Sequence, residues 1–174
     1  TDAGDWGEEG SAVGQMNRPS GIAFDLDENL LVVDTLNHRV QKFNKDGRYI
    51  SGFGTKGSGP GEFDMPWGIA VNGEGDIFVV DWHNDRVQKF NADGEFIMEF
   101  GSSGSGDGEF NRPAGIEIDH HGDIYVADRG NNRVQQFAPD GRYVDKFIGD
   151  ATLSKSGETY VRANPAVLRN REMA

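Results

Sequence analysis

An all-β fold built from repeated four-stranded antiparallel units is predicted by three features of this sequence. The first is a repeat without gaps. Pro19, Pro66 and Pro113 stand 47 residues apart, and Gly21, Gly68 and Gly115 keep the same step, as do Phe53, Phe100 and Phe147. A period in this range with strand-like content marks propeller blades. The second is a near-continuous apolar run in each unit, such as Ile77, Phe78, Val79 and Val80. A strand apolar on both sides needs cover on both faces, which blades stacked face to face provide. The third is an Asp-Gly pair at 46–47, 93–94 and 140–141, a hairpin signal because those positions tolerate positive φ. Four short antiparallel strands, repeated, make a β-propeller.

Taken in order, residues 1–13 read as a stub and linker: Trp6 and Gly7 fall 47 residues before Phe53 and Gly54, in the register of a strand closing a preceding unit. Three blades follow, at 14–54, 61–101 and 108–149. In each, a first strand follows a Pro-x-Gly, and a turn rich in Asn, Asp and Gly leads to the apolar second strand. The third strand (Arg86, Val87, Gln88, Lys89, Phe90) is more polar, and the fourth is of the Phe96, Ile97, Met98, Glu99, Phe100 type. Glycine-rich linkers at 54–61 and 101–108 cross from one blade's rim to the next blade's centre. After Phe147 the pattern stops, since Pro165 lies 52 residues after Pro113. Residues 150–174 read as a helical segment, with Asn164 as N-cap and Pro165 in the first turn. Tyr160, Val161, Val167 and Leu168 give it an apolar face beside the basic Lys155, Arg162, Arg169 and Arg171. It either caps the last blade or docks on a partner.

With 29 acidic against 17 basic residues and a net charge of −12, the surface repels phosphate backbones and anionic lipid, so nucleic acid is a poor partner. No cysteine is present, which removes disulfides and thiolate metal sites, and no apolar run is long enough to insert in a bilayer. A soluble chain is expected. Its compartment is left open, because the sequence starts in mid-pattern and a leader for export would precede that start.

The frame Pro-x-Gly-Ile, then aliphatic-Asp-x-x-Asn-x-Arg-Val-Gln, then Asp-Gly resembles the NHL repeat, and unit one spells Asn37-His38 followed by Arg39 within it. The resemblance covers residues 14–149. It implies four-stranded blades, usually six in a closed ring, and relatives that include RNA-binding and protein-binding modules. Related propellers include a zinc-dependent peptidyl-hydroxyglycine lyase and gluconolactonase-type hydrolases using a divalent metal. Three units do not close a ring alone. A homodimer of half-rings would supply six blades, although Trp6 is then surplus because unit three already owns a fourth strand.

Repetition within the chain separates frame from function. The pairs Asp34 and Arg39, Asp81 and Arg86, and Asp128 and Arg133 recur in every unit, so they read as structural carboxylate–guanidinium pairs. Antiparallel order gathers the linker ends and the loops between strands two and three on one face. That face collects Arg18, Ser20, Thr35, Leu36 and His38 from unit one, then Met65, Trp67, Trp82, His83 and Asp85 from unit two. Unit three adds Arg112, Ala114, Arg129, Gly130 and Asn132. Aromatics with arginine nearby are what binding sites use; the competing role for Trp67 is packing between blades. His38 and His83 are the weak candidates for a metal, short of the three protein ligands a catalytic zinc wants. His120 and His121 sit in a turn on the opposite face. The function expected is a non-catalytic binding or interaction module for a protein or small-molecule ligand, without a cofactor. The alternative is part of a metal-assisted lyase or hydrolase propeller, with zinc or calcium.

Overall fold

A computed structural model describes residues 7–148, so the helical segment expected at 150–174 and Trp6 lie outside the described residues. Three antiparallel sheets of four strands follow one another in sequence order. Blade one comprises β1 (Pro19–Phe24), β2 (Leu30–Asp34), β3 (Arg39–Phe43) and β4 (Tyr49–Phe53). The linker to blade two folds back as a short parallel pair, β5 (Thr55–Lys56) with β6 (Glu62–Phe63). Blade two is β7 (Pro66–Val71), β8 (Ile77–Asp81), β9 (Arg86–Phe90) and β10 (Phe96–Phe100). Blade three is β11 (Pro113–Ile118), β12 (Ile124–Asp128), β13 (Arg133–Phe137) and β14 (Tyr143–Ile148). The other two linkers make the same parallel contact as single bridges, Glu9 with Met16 and Ser103 with Phe110.

The apolar second strands are covered on both faces, as their composition requires. Successive residues of a strand point to opposite sides. On β8, Ile77 and Val79 therefore join a core with Leu31, Val33 and Val40 of blade one. Phe78 and Val80 join a second core with Ile124, Val126 and Phe137 of blade three. Each core is plugged by a linker phenylalanine, Phe63 or Phe110, both fully buried, whose ring meets Phe90 at 5.6 Å or Phe137 at 5.5 Å between centroids.

The repeated Pro-x-Gly has a steric cause. A Cβ on Gly21 would collide with the Trp67 carbonyl, and one on Gly68 with the Ala114 carbonyl, so the innermost strands of adjacent blades touch through backbone. Gly115 meets nothing closer than the Ala127 methyl group at 3.8 Å, because no blade follows it among the described residues. The outer sides are correspondingly bare. Ile22 is 64% exposed where its counterpart Ile69 is 6% exposed, and Val134 is 36% exposed where Val87 is buried.

The Asp–Arg pairs do more than meet each other. In blade two, Asp81 is fully buried. Its Oδ1 accepts the Asp64 N–H at 2.8 Å, and its Oδ2 accepts Asn84 Nδ2 and Arg86 Nε, each at 2.9 Å. Gln88 Nε2 adds a longer contact at 3.4 Å. The donors then reach into the linker: Arg86 binds the carbonyls of Ser58, Gly59 and Glu62, Asn84 that of Gly57, and Gln88 that of Glu62. Gln88 Oε1 also accepts the Gly61 N–H. The same pattern is built on Asp34 with Asn37, Arg39 and Gln41, and on Asp128 with Asn131, Arg133 and Gln135. Outside its short strand pair, the glycine-rich linker thus has much of its polar backbone bonded by one quartet of side chains. Burial pushes the Asp81 carboxyl above its ordinary value, against the pull of Asn84, the Asp64 N–H and Arg86.

Candidate functional site

Each clamp fixes the chain on both sides of it, and that sets the face where the loops gather. After β2, β8 and β12 the chain makes a single 3-10 turn, at Thr35–Asn37, Trp82–Asn84 and Arg129–Asn131. A left-handed residue follows each turn: His38, Asp85 and Asn132, with φ of 52°, 51° and 53°. The residue before each first strand is left-handed too: Arg18, Met65 and Arg112, with φ of 50°, 55° and 52°. Such φ values are uncommon away from glycine, and here they join blade to blade. His38 Nδ1 accepts the Met65 N–H at 3.0 Å, and Asp85 Oδ1 accepts the Arg112 N–H at 2.7 Å. His38 and Asp85 differ in chemistry but perform one task, that of an acceptor latching a blade to the next. Asn132 holds the same position in blade three and is exposed.

The aromatic residues do converge. Trp67 and Trp82 lie 5.6 Å apart between ring centroids, His83 stacks on Trp82 at 4.4 Å, and the Arg112 guanidinium lies over Trp82 at 5.2 Å. Arg112 Nη1 also reaches the His83 carbonyl at 3.5 Å. Trp82 is thus engaged by three neighbours and half-buried, whereas Trp67 is 41% exposed. The backbone of Trp67 serves the blade contact, its carbonyl accepting Ser20 Oγ at 2.8 Å, while its ring faces outward rather than into either core. Beside it lies a cavity of about 310 Å³ lined by Arg18, Pro19, Ser20, Thr35, Leu36, Met65 and Trp67. Within the lining the Ser20 and Thr35 hydroxyls lie 2.7 Å apart and also bond the carbonyls of Trp67 and Pro66. Arg18 and Arg129 are exposed and have no acid partner among the described residues.

The two face histidines lie near one carboxylate. Asp64 Oδ1 lies 3.4 Å from His83 Nδ1 and 3.9 Å from His38 Nδ1. Since His38 Nδ1 accepts a backbone N–H, it is not free for a metal. Among the described residues no group of three or more His, Cys, Asp or Glu side chains could hold an ion. His120 and His121 are exposed, in the turn between β11 and β12. What the sequence did not reveal is the latch, the part of Asn and Gln in the clamp, and the cavity. The asparagine and glutamine recur with the same 47-residue step and were visible as frame, but their partners are backbone carbonyls, which leave no mark in the sequence.

Stacked four-stranded blades, joined by latches and clamped linkers, define a β-propeller segment of NHL type. The chain belongs to the 6-bladed beta-propeller family, whose model matches residues 16–76 and 71–153. It is 45% identical over 49 residues to Protein brain tumor of Drosophila melanogaster, and 46% identical over 44 residues to B-box type zinc finger protein ncl-1 of Caenorhabditis elegans. Those stretches are 28% and 25% of this chain, and the match spans only 5% of either relative. Among solved structures, a streptogramin B lyase superposes with a TM-score of 0.59 at 18% identity, covering 74% of this chain and 40% of that one. Hydrazine synthase of Kuenenia stuttgartiensis superposes with a TM-score of 0.61 at 17% identity, covering 86% and 44%. At these identities the likeness shows the fold alone. No helix of the described residues is long and apolar enough to cross a membrane.

The latch predicts a pH dependence. Burial, above all, lowers the His38 pKa from its ordinary 6.5; Lys56 and His83 push the same way, and Asp64 and Asp81 oppose them. The unfolded chain therefore takes up this proton more readily than the folded one. Stability from this group is present above about pH 6.5 and is lost as pH falls towards the lower folded value. Urea midpoints measured from about pH 7.5 down to about pH 5 should fall more steeply for the parent than for His38→Asn, which keeps an acceptor and tolerates the left-handed backbone. Equal slopes would remove His38 from the account.

Proposed function

We propose that this chain is a non-catalytic binding module that engages a protein partner through the face carrying Trp67, Trp82, His83, Arg18 and Arg112. The observation that carries the reading is an indole left outward beside an open cavity, on a backbone otherwise fastened in every blade. Large aromatic side chains so placed dominate binding energies, and a concave site with apolar walls and a few convergent polar groups is the common form of a ligand pocket. Trp82, held from three sides, supports Trp67 rather than meeting the partner first. Trp67→Ala should leave the melting temperature near that of the parent and weaken a captured partner by about 2 kcal/mol or more in calorimetric titration. A variant that melts several degrees lower and binds as before would return Trp67 to a structural role.

We also propose that two copies complete one ring. Each internal junction joins a latch acceptor to the backbone N–H of the next blade and seats a first-strand glycine under a carbonyl. Among the described residues, the two outer blades offer the halves of one more junction: Asn132 and Gly115 on blade three, and the Arg18 N–H and Ser20 carbonyl on blade one. Ile22 and Phe24, 64% and 67% exposed, await cover. The opposing side is less apolar, since Glu117, Tyr125 and Ala127 stand where Ala70, Phe78 and Val80 stand in blade two. The dimer junction is thus weaker than the internal ones, and assembly depends on concentration. Light scattering should show a mass rising from 19.0 kDa towards twice that value on concentration; a mass fixed at 19.0 kDa at every concentration would rule the dimer out.

A further inference from the structure

The distribution of unpaired charge on the binding face says more than its aromatic content. The described chain neutralises most of its bases internally. Arg39, Arg86 and Arg133 pair with the clamp aspartates, Lys42 with Asp25, Lys89 with Asp76, Lys45 with Glu28 and Lys146 with Asp107. Against that background, Arg18, Lys56, Arg112 and Arg129 have no acid partner among the described residues, and all four belong to the linker ends and turns of one face. The other such bases, Arg48 and Arg142, stand in the turns between strands three and four at the opposite end. On the same face Asp64 lies 3.4 Å from His83 Nδ1, and Asp85 accepts the Arg112 N–H and Ser103 Oγ; these two carboxylates stand against the four bases. In a chain of net charge −12, this face therefore presents guanidinium groups without a carboxylate partner, beside apolar walls.

We propose that the cavity between blades one and two takes an acidic peptide segment of a partner protein, in which an Asp or Glu adjoins a large apolar side chain. The inference rests on the binding reading above and names the chemistry of its partner. Arg18 stands at the rim of the cavity, where its planar fork can hold a carboxylate in two parallel hydrogen bonds. Leu36, Met65 and Trp67 form walls for the neighbouring apolar side chain; the Ser20 and Thr35 hydroxyls bond each other and the carbonyls of Trp67 and Pro66, so the polar contact to the peptide falls to Arg18. The volume of about 310 Å³ is at the small end of ligand sites and suits one side chain with its flanking backbone rather than a folded surface. A short peptide brings few charges to an acidic protein, whereas a nucleic acid brings a continuous run of phosphates that the remaining surface repels.

The test is selection of a phage-displayed random-peptide library on the immobilised full chain, followed by titration of the synthetic winner. The winners should place an Asp or Glu next to a large apolar residue. Arg18→Ala should weaken the winner at least about tenfold, the scale of a charge-assisted hydrogen bond, and Arg142→Ala, at the far end, should leave it unchanged. Winners that are neutral or basic, yet depend on Trp67, would overturn the acidic partner and leave the binding face standing. Winners indifferent to both Arg18 and Trp67, or no enrichment at all, would overturn both. An oligouridylate that binds more tightly than the winner through Arg18 would replace the peptide with single-stranded RNA.

Discussion

One buried carboxylate in each blade is the constraint on which the rest of the structure depends. Asp34, Asp81 and Asp128 are fully buried at the end of a second strand, where an ionised group is costly unless fully satisfied. The Asn, Arg and Gln that satisfy each aspartate are on or next to the following strand, and the same side chains then bind the linker that precedes the blade. The described residues contain no buried side-chain N or O atom without a partner. Removing Arg86 would take from the buried Asp81 its charged donor and from the carbonyls of Ser58 and Gly59 theirs. That shared use of one quartet explains why the four residue types repeat without substitution, while the outer strands between them vary freely.

The proposed binding face is made of what the clamp leaves over. Linkers held at both ends cross one face of each blade. Their last residues are forced into left-handed backbone, so that the N–H of Met65 or Arg112 meets the acceptor on the preceding blade. Side chains at these fixed positions have defined places without packing duties of their own. Arg18, Met65 and Trp67 thereby come to surround a cavity although no core contact determines them. Rigid backbone with variable side chains is the arrangement by which loops on a scaffold carry binding.

Much of this was legible in the sequence, and the reason is the repeat. The strands of blade two fall where the alternation and the Asp-Gly turns place them, because the pattern is read three times and the apolar runs admit one arrangement of faces. The partnership of Asp81 with Arg86 was legible for the same reason. The cavity was not, since Leu36, Met65 and Trp67 come from different loops and only the stacking of two blades brings them together. The latch was hidden more deeply: His38 and Asp85 look like varied functional positions, yet an imidazole nitrogen and a carboxylate oxygen accept the same kind of backbone N–H. Phe63 and Phe110 follow the glycine-rich stretches at 54–61 and 101–108, and nothing in the sequence marks them as the plugs of the two cores.

The most direct test of the clamp is native-state hydrogen exchange at the linker amides it binds, those of Gly61 and Asp64 in blade two. If the quartet fastens the linker to the blade core, these amides should exchange only through global unfolding, with the same protection as Val79 and Val87, although they lie in a glycine-rich segment. Exchange at the rate of the turn amides near Gly94, with the strands still protected, would show that the linker opens independently and would contradict the account.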